Sequence, residues 1–442
     1  MFQQKEFIVF AICLILALLI FTGSSGTNQT KPSLGIINSK VSQDKNQLLE
    51  TSAEFKHHLD VIQNKRVDKS EIQSRLDNLQ PGFEREYLSA LLDKRSGNYK
   101  STFQKLYSIL DKLPAFPGYY EELSISAKIS DNLDTVSEWL RLNKDRSDNP
   151  YYLYFESLIE FQKGKSSDGV AKLESLVERK FTLKEIFIQL ANGYRILGNY
   201  DKSFINLLKA EKLCESGDQH LSKIINLKGT IFFLSGEYDK AKLQYESALE
   251  SSRETGNKIE EIKSIANLAI IKDQYGEIFD ARDDFHQAIG MAKIIENSEL
   301  LAFLFSELGV SYTYTSNLIE ARQNYEQSLD IYEKLKSNER LSYLSNNIGS
   351  LYLQISNYNS ALEYYKKGLA HAGENKLGKI LNLTGLGDVY SNESNYSRAL
   401  ENYLKAKSIA DSIKDVSSIL KIEQGIGALY FNINRPYDAL ET

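Results

Sequence analysis

From about residue 83 onward the chain repeats one pattern of small, large and polar positions. A small or slim residue recurs at Thr102, Val136, Gly169, Ser203, Ala241, Ala281, Ala321, Ala361, Ala399 and Ala439, at spacings of 34, 33, 34, 38, 40, 40, 40, 38 and 40 residues. Twelve positions before each stands another: Ala90, Ser124, Ser157, Ala191, Gly229, Ala269, Gly309, Gly349, Gly387 and Gly427. Four positions after comes a large side chain: Leu106, Leu140, Leu173, Leu207, Tyr245, Phe285, Tyr325, Tyr365 and Tyr403. This spacing predicts two antiparallel helices per unit. A small residue in each lets the backbones approach, and the large residue one turn on fills the space beside the contact. Neither helix buries its apolar stripe alone, so a unit of this length predicts a stacked solenoid. The turns inside the pairs read as Leu197-Gly198-Asn199-Tyr200, Ser235-Gly236-Glu237-Tyr238, Ser356-Asn357-Tyr358 and Ser394-Asn395-Tyr396, with Gly and Asn expected in the left-handed conformation that ends a helix.

Upstream the pattern changes twice. Phe7 to Phe21 is an uninterrupted apolar run, preceded by Lys5 and followed by Gly23, Ser24, Ser25 and Gly26. Its length lies between a signal peptide's apolar core and a membrane span, and its flanks favour a cleaved signal over a retained anchor. Either way the expectation is an exported or membrane-anchored chain with its repeats extracytoplasmic, in a periplasm, because Lys5 and the amino terminus precede the run and no cation follows before Lys31. Residues 27–82 are polar. Leu48, Leu49, Phe55, Leu59 and Ile62 are spaced for one or two amphipathic helices after a linker around Pro32 and Gly35. The predicted organisation is a signal peptide or anchor (1–26), a linker and helical cap (27–82), divergent repeats (83–182) and repeats of about 40 residues (183–442), the last one incomplete.

With only 6 prolines and 25 glycines in 442 residues, and 42% hydrophobic residues, composition agrees with an all-α chain. The residues quoted above resemble the tetratricopeptide-repeat (TPR) family, most sharply at Leu308-Gly309 with Tyr312, Leu386-Gly387 with Tyr390, and Ile348-Gly349 with Tyr352. The longer period is similar to that of kinesin light chain and of bacterial TPR sensor proteins. The resemblance implies a right-handed α-solenoid of about ten helix hairpins. It also implies that partner peptides or helices lie in a concave groove lined by the first helix of each pair. Carried onto this chain, the groove positions are Asn192, Arg195, Asn226, Thr230, Phe233, Asp273, Tyr314, Asn346, Ser350 and Asp388. Tyr325, Tyr365 and Tyr403 are expected in the core. One arginine is too little for the basic clamp that TPR co-chaperones close on an acidic C-terminus.

Other chemistry is thin. The net charge of -6 and the lack of a basic stripe argue against nucleic acid. Cys13 and Cys214 cannot form a framework or a metal site, and the scattered histidines, His57 and His58 included, are expected at the surface. There is no phosphate-binding glycine loop and no nucleophile elbow, so no enzyme activity, cofactor or metal is expected. The carboxylate runs Glu260-Glu261 and Asp283-Asp284 are expected on solvated helix faces.

Ala439 opens a helix whose packing aromatic would fall beyond Thr442, which leads us to expect further repeats and an effector domain. The function expected is a protein-interaction scaffold forming the extracytoplasmic input of a bacterial signalling protein. The alternatives are a self-contained exported or membrane-anchored assembly scaffold and a cytosolic adaptor.

Overall fold

The computed structural model describes residues 53–64 and 69–432. These form 21 α-helices and two short 3-10 turns, with no strand among them. Two leading helices, Ala53–Asn64 and Lys69–Asp77, precede the array. Helix A and helix B then alternate: Phe83–Arg95 with Tyr99–Tyr107 (repeat 1), Pro117–Ile129 with Leu133–Leu142 (2), Pro150–Gln162 with Ser166–Glu178 (3), and Lys184–Ile196 with Tyr200–Glu211 (4). The longer repeats follow as Gln219–Leu234 with Tyr238–Thr255 (5), Lys258–Gln274 with Ile278–Ile294 (6), Ser298–Tyr314 with Leu318–Lys334 (7), Asn338–Gln354 with Tyr358–His371 (8), and Lys376–Asn392 with Tyr396–Ile413 (9). Val416–Asn432 is helix A of repeat 10. The fold is the all-α solenoid that the spacing predicts, with the right hand that the resemblance implies. The leading apolar run, the linker around Pro32 and Gly35, and Ala439 lie outside the described residues. Among the described residues no helix is long and apolar enough to cross a membrane.

The small positions are where the helices of a pair touch. Thr102 Oγ1 donates to the Ala90 carbonyl at 3.2 Å and Ser203 Oγ to the Ala191 carbonyl at 2.8 Å, each bridging the twelve-residue interval. In the later repeats glycine replaces that bond with an aromatic face: a Cβ on Gly309 or Gly387 would lie 2.6 Å from the ring of Tyr325 or Tyr403. Tyr365 is held on both sides, by Gly349 of its own repeat and Gly385 of the next. Tyr325, Tyr365 and Tyr403 are 1–2% exposed. Upstream, Phe55 and Ile62 of the first leading helix join this core, with the Phe55 ring 6.0 Å from Tyr87 and 5.9 Å from Phe116.

The turn chemistry differs from expectation in one respect. The left-handed residue is Gly97, Gly164, Gly198, Gly236 or Gly276 in some repeats, and Asp131, Ser316, Ser356 or Ser394 in others. In six of these nine repeats asparagine follows it and is not left-handed: φ is −95° at Asn199 and −87° at Asn357. Its carboxamide instead accepts the N–H of Lys202, Ser360 or Arg398 and so caps helix B. A cap contributes about 1 kcal/mol, which outweighs asparagine's modest tolerance of positive φ.

The repeats wind tightly enough for successive turns to meet. The loop after helix A in repeats 1 to 4 touches the loop after helix B in repeats 6 to 9, always five repeats on. Arg95 donates to the Ile294 carbonyl at 3.3 Å and pairs with Glu296 at 3.4 Å. Asp131 pairs with Lys336. The Ser167 N–H and hydroxyl both donate to the Glu374 carboxylate at 2.8 Å. Ile413 packs so closely on Gly198 that a Cβ there would lie 2.7 Å away. One turn of the superhelix is therefore about five repeats, and this seam closes it on itself.

Candidate protein-binding groove

Because the coil closes, helix A faces of distant repeats look at one another across a narrow interior. Arg195 of repeat 4 donates to Glu339 of repeat 8 at 3.0 Å. Lys128 of repeat 2 sits in the field of Glu339 and of Glu299 in repeat 7. Lys263 pairs with Glu260 at 2.8 Å and feels Glu299 and Arg340. Four cations (Lys128, Arg195, Lys263, Arg340) are thus balanced by four glutamates (260, 299, 307, 339). Burial raises the Glu339 pKa, but Arg195 and Arg340 overcome that and hold it below the ordinary glutamate value. Glu307 lacks such a close partner: burial pushes it up to about 7, which Arg340 opposes and Asp273 reinforces. Asp273, 8% exposed, is also pushed up to about 7 by burial, although Ser311 donates to it at 3.1 Å. Where the seam meets the interior there is a cavity of about 330 Å³, walled by Leu91, Ile125 and Ile259 and edged by Lys94, Glu122 and Glu299.

A tetratricopeptide-repeat family model matches residues 300–374. Residues 300–374 are therefore tetratricopeptide repeats. No curated protein sequence matches it. Three solved structures resemble the TPR array. A Rap protein complexed with competence and sporulation factor is 15% identical, over 82% of this chain and 98% of that one, with a TM-score of 0.52. The Cut9 and Hcn1 hetero-tetramer of APC/C is 14% identical over 72% and 59%, with a TM-score of 0.49. BtubC (BKLC) from P. vanneervenii is 18% identical over 50% and 91%, with a TM-score of 0.37. At these identities the likeness is one of fold, and TPR folds serve as protein-interaction scaffolds.

The TPR groove positions fall into two groups. Asn226, Asp273, Asn346 and Ser350 are buried. The Asn226 carboxamide donates to Glu260 Oε2 and Ser264 Oγ, both at 3.0 Å, and so ties repeat 5 to repeat 6. Ser350 Oγ lies 3.0 Å from the Tyr365 hydroxyl. Asn192, Arg195, Thr230, Phe233, Tyr314 and Asp388 are half-buried. Thr230 Oγ1 donates to the Asn226 carbonyl, the Phe233 ring packs on Tyr238, Gln274 donates to Tyr314 at 3.4 Å, and Asp388 accepts from Tyr403 at 2.6 Å.

Two expectations are corrected. Glu260 and Glu261 are not solvated: they are 4% and 7% exposed, each held by a neighbouring lysine, because the preceding repeat covers that face through Asn226 and Arg253. His58 is buried, not at the surface, beside Glu54. The Cys214 thiol is pushed up to about 11 by burial and the Asp218 carboxylate, which keeps it protonated and a poor nucleophile at neutral pH. Of the interior cations and glutamates, only Arg195 was placed in the groove from the sequence. The signal available was that Lys263, Glu299, Glu307, Glu339 and Arg340 all fall on first helices.

The raised carboxyls set a pH dependence. Glu307 and Asp273 bind protons more tightly folded than unfolded, where their ordinary values are 4.5 and 3.8. Their contribution to stability is therefore complete below about pH 4 and is lost as the pH rises through 7. Glu307→Gln is expected to stabilise the array by about 1 kcal/mol at pH 8, allowing for partial solvent screening, and to have no effect at pH 4. Urea titrations at the two pH values check it, and an equal effect at both would refute the assignment.

Proposed function

We propose that the array is the extracytoplasmic input part of an exported or membrane-anchored signalling protein. A peptide or helical segment of a partner enters the interior, competes for its paired charges and changes the pitch of the superhelix. The observation that carries this reading is the Arg195–Glu339 pair. It joins repeats 4 and 8 across the interior, so an occupant that takes either partner loosens one turn from the next. The apolar run from Phe7 to Phe21, with Lys5 before it, supports export. The Rap protein, which is complexed with competence and sporulation factor, shares this fold at too low an identity to transfer a ligand.

The test of placement is a topology reporter fused behind residue 442. Activity on the extracytoplasmic side is expected, and a strong cytoplasmic signal would replace this reading with an intracellular adaptor.

A further inference from the structure

The edge that repeats 1 to 4 present to the seam has a free counterpart in the second turn. The position two before the small residue of helix B is Ser167 in repeat 3, where it bonds Glu374 across the seam. Repeats 1, 2 and 4 carry the polar Lys100, Asp134 and Asp201 there. In repeats 6 and 7 the same position is Phe279 and Ile319, exposed by 77% and 69%. Tyr275 and Ile355, at the ends of helix A in repeats 6 and 8, are 46% and 49% exposed on the same edge. Single exposed apolar residues are ordinary, but a row of them at equivalent positions of adjacent repeats forms a patch. Residues 275–280 and 315–320 add Glu277, Asp280 and Glu320 and contain no cation.

We propose that this edge docks the opposite edge of a second copy of the chain, so that the superhelix continues head to tail. Continuity with the internal seam argues for this occupant, because within one chain the edge after helix A already receives the edge after helix B. Among the described residues no hydrogen bond or ion pair joins the latter edge to another turn in repeats 2 to 4. In the five-repeat register of the seam, repeat 2 of the second copy meets repeat 7, which sets Leu142, exposed by 64%, against Ile319, apolar to apolar. The two edges differ, so the contact is heterologous and does not close on itself as a two-fold dimer does.

The experiment is sedimentation velocity on the detergent-solubilised full chain. The mass is expected to rise with protein concentration. Phe279→Asp and Ile319→Asp are each expected to weaken association by about tenfold, with unchanged circular dichroism because both side chains project into solvent. In a Cys13→Ser, Cys214→Ser background, an Ile319→Cys chain mixed with a Leu142→Cys chain is expected to form the mixed disulfide dimer. A chain that stays monomeric, association indifferent to both aspartates, or a residue-319 cysteine that pairs only with its own counterpart or within its own chain would each overturn the proposal.

Discussion

Tyr365→Ala is expected to unravel repeats 8 to 10 and leave repeats 1 and 2 folded. The ring is 1% exposed and lies between the α-carbons of Gly349 and Gly385, so it belongs to the contact within repeat 8 and to the contact with repeat 9 at once. Removing a buried aromatic costs about 3–5 kcal/mol, and neither glycine has a side chain that could move into the void. The Ser350 hydroxyl would also lose its partner at 3.0 Å. In a solenoid such a loss is local, because each repeat is stabilised mainly by its neighbours. Hydrogen exchange read by mass spectrometry should show protection lost across residues 338–432 and retained across 83–142. Tyr365→Phe keeps the ring and should cost only about 1 kcal/mol, the worth of the hydroxyl bond. A uniform loss along the whole chain, or a cost for alanine no larger than for phenylalanine, would show that the ring does not join the repeats in this way.

What the sequence disclosed follows from which contacts are local. The hairpin contact recurs twelve residues apart, within reach of one repeat, and is visible as Ala90 against Thr102 or Gly309 against Tyr325. The contact between adjacent repeats lies about 40 residues away and is half visible: Asn226 falls on the first helix of its pair, but its bond to Glu260 depends on how repeat 6 rotates onto repeat 5. The cap at Asn357 was readable as a helix boundary, yet the pattern alone did not separate the left-handed Ser356 from the capping residue after it. Contacts across the seam left no sequence signal. Arg195 and Glu339 are 144 residues apart, and their meeting depends on a small rotation per repeat summed over four repeats. The buried Glu260 and Glu261 read as solvated for the same reason, since burial by a neighbouring repeat is invisible in the periodicity of one helix.

The seam and the repeat cores are held by different forces, and that difference is testable at Glu339. The cores are apolar, whereas the seam includes Arg95 with Glu296, Asp131 with Lys336, Ser167 with Glu374 and the apolar contact of Ile413 with Gly198. Partly exposed pairs of this kind contribute about 0–1 kcal/mol each and are screened by salt, so one turn can separate from the next while every hairpin stays folded. Glu339→Arg replaces the anion that faces Arg195, Arg340 and Lys128 with a further cation. Breaking a buried pair costs about 3–5 kcal/mol, and because the Arg195 and Glu339 side chains keep 21% and 30% exposure the expected loss is nearer 2 kcal/mol. That exceeds what any one seam contact supplies, so the coil should open. Small-angle X-ray scattering should report a larger radius of gyration with unchanged helix content, and Arg195→Glu added to Glu339→Arg should restore the compact form by re-forming the pair in reverse. An unchanged radius in the single variant would mean that the apolar contact of Ile413 with Gly198, not charge, holds the turns together. Failure of the double variant to recompact would place the force at Arg340 and Lys128 instead.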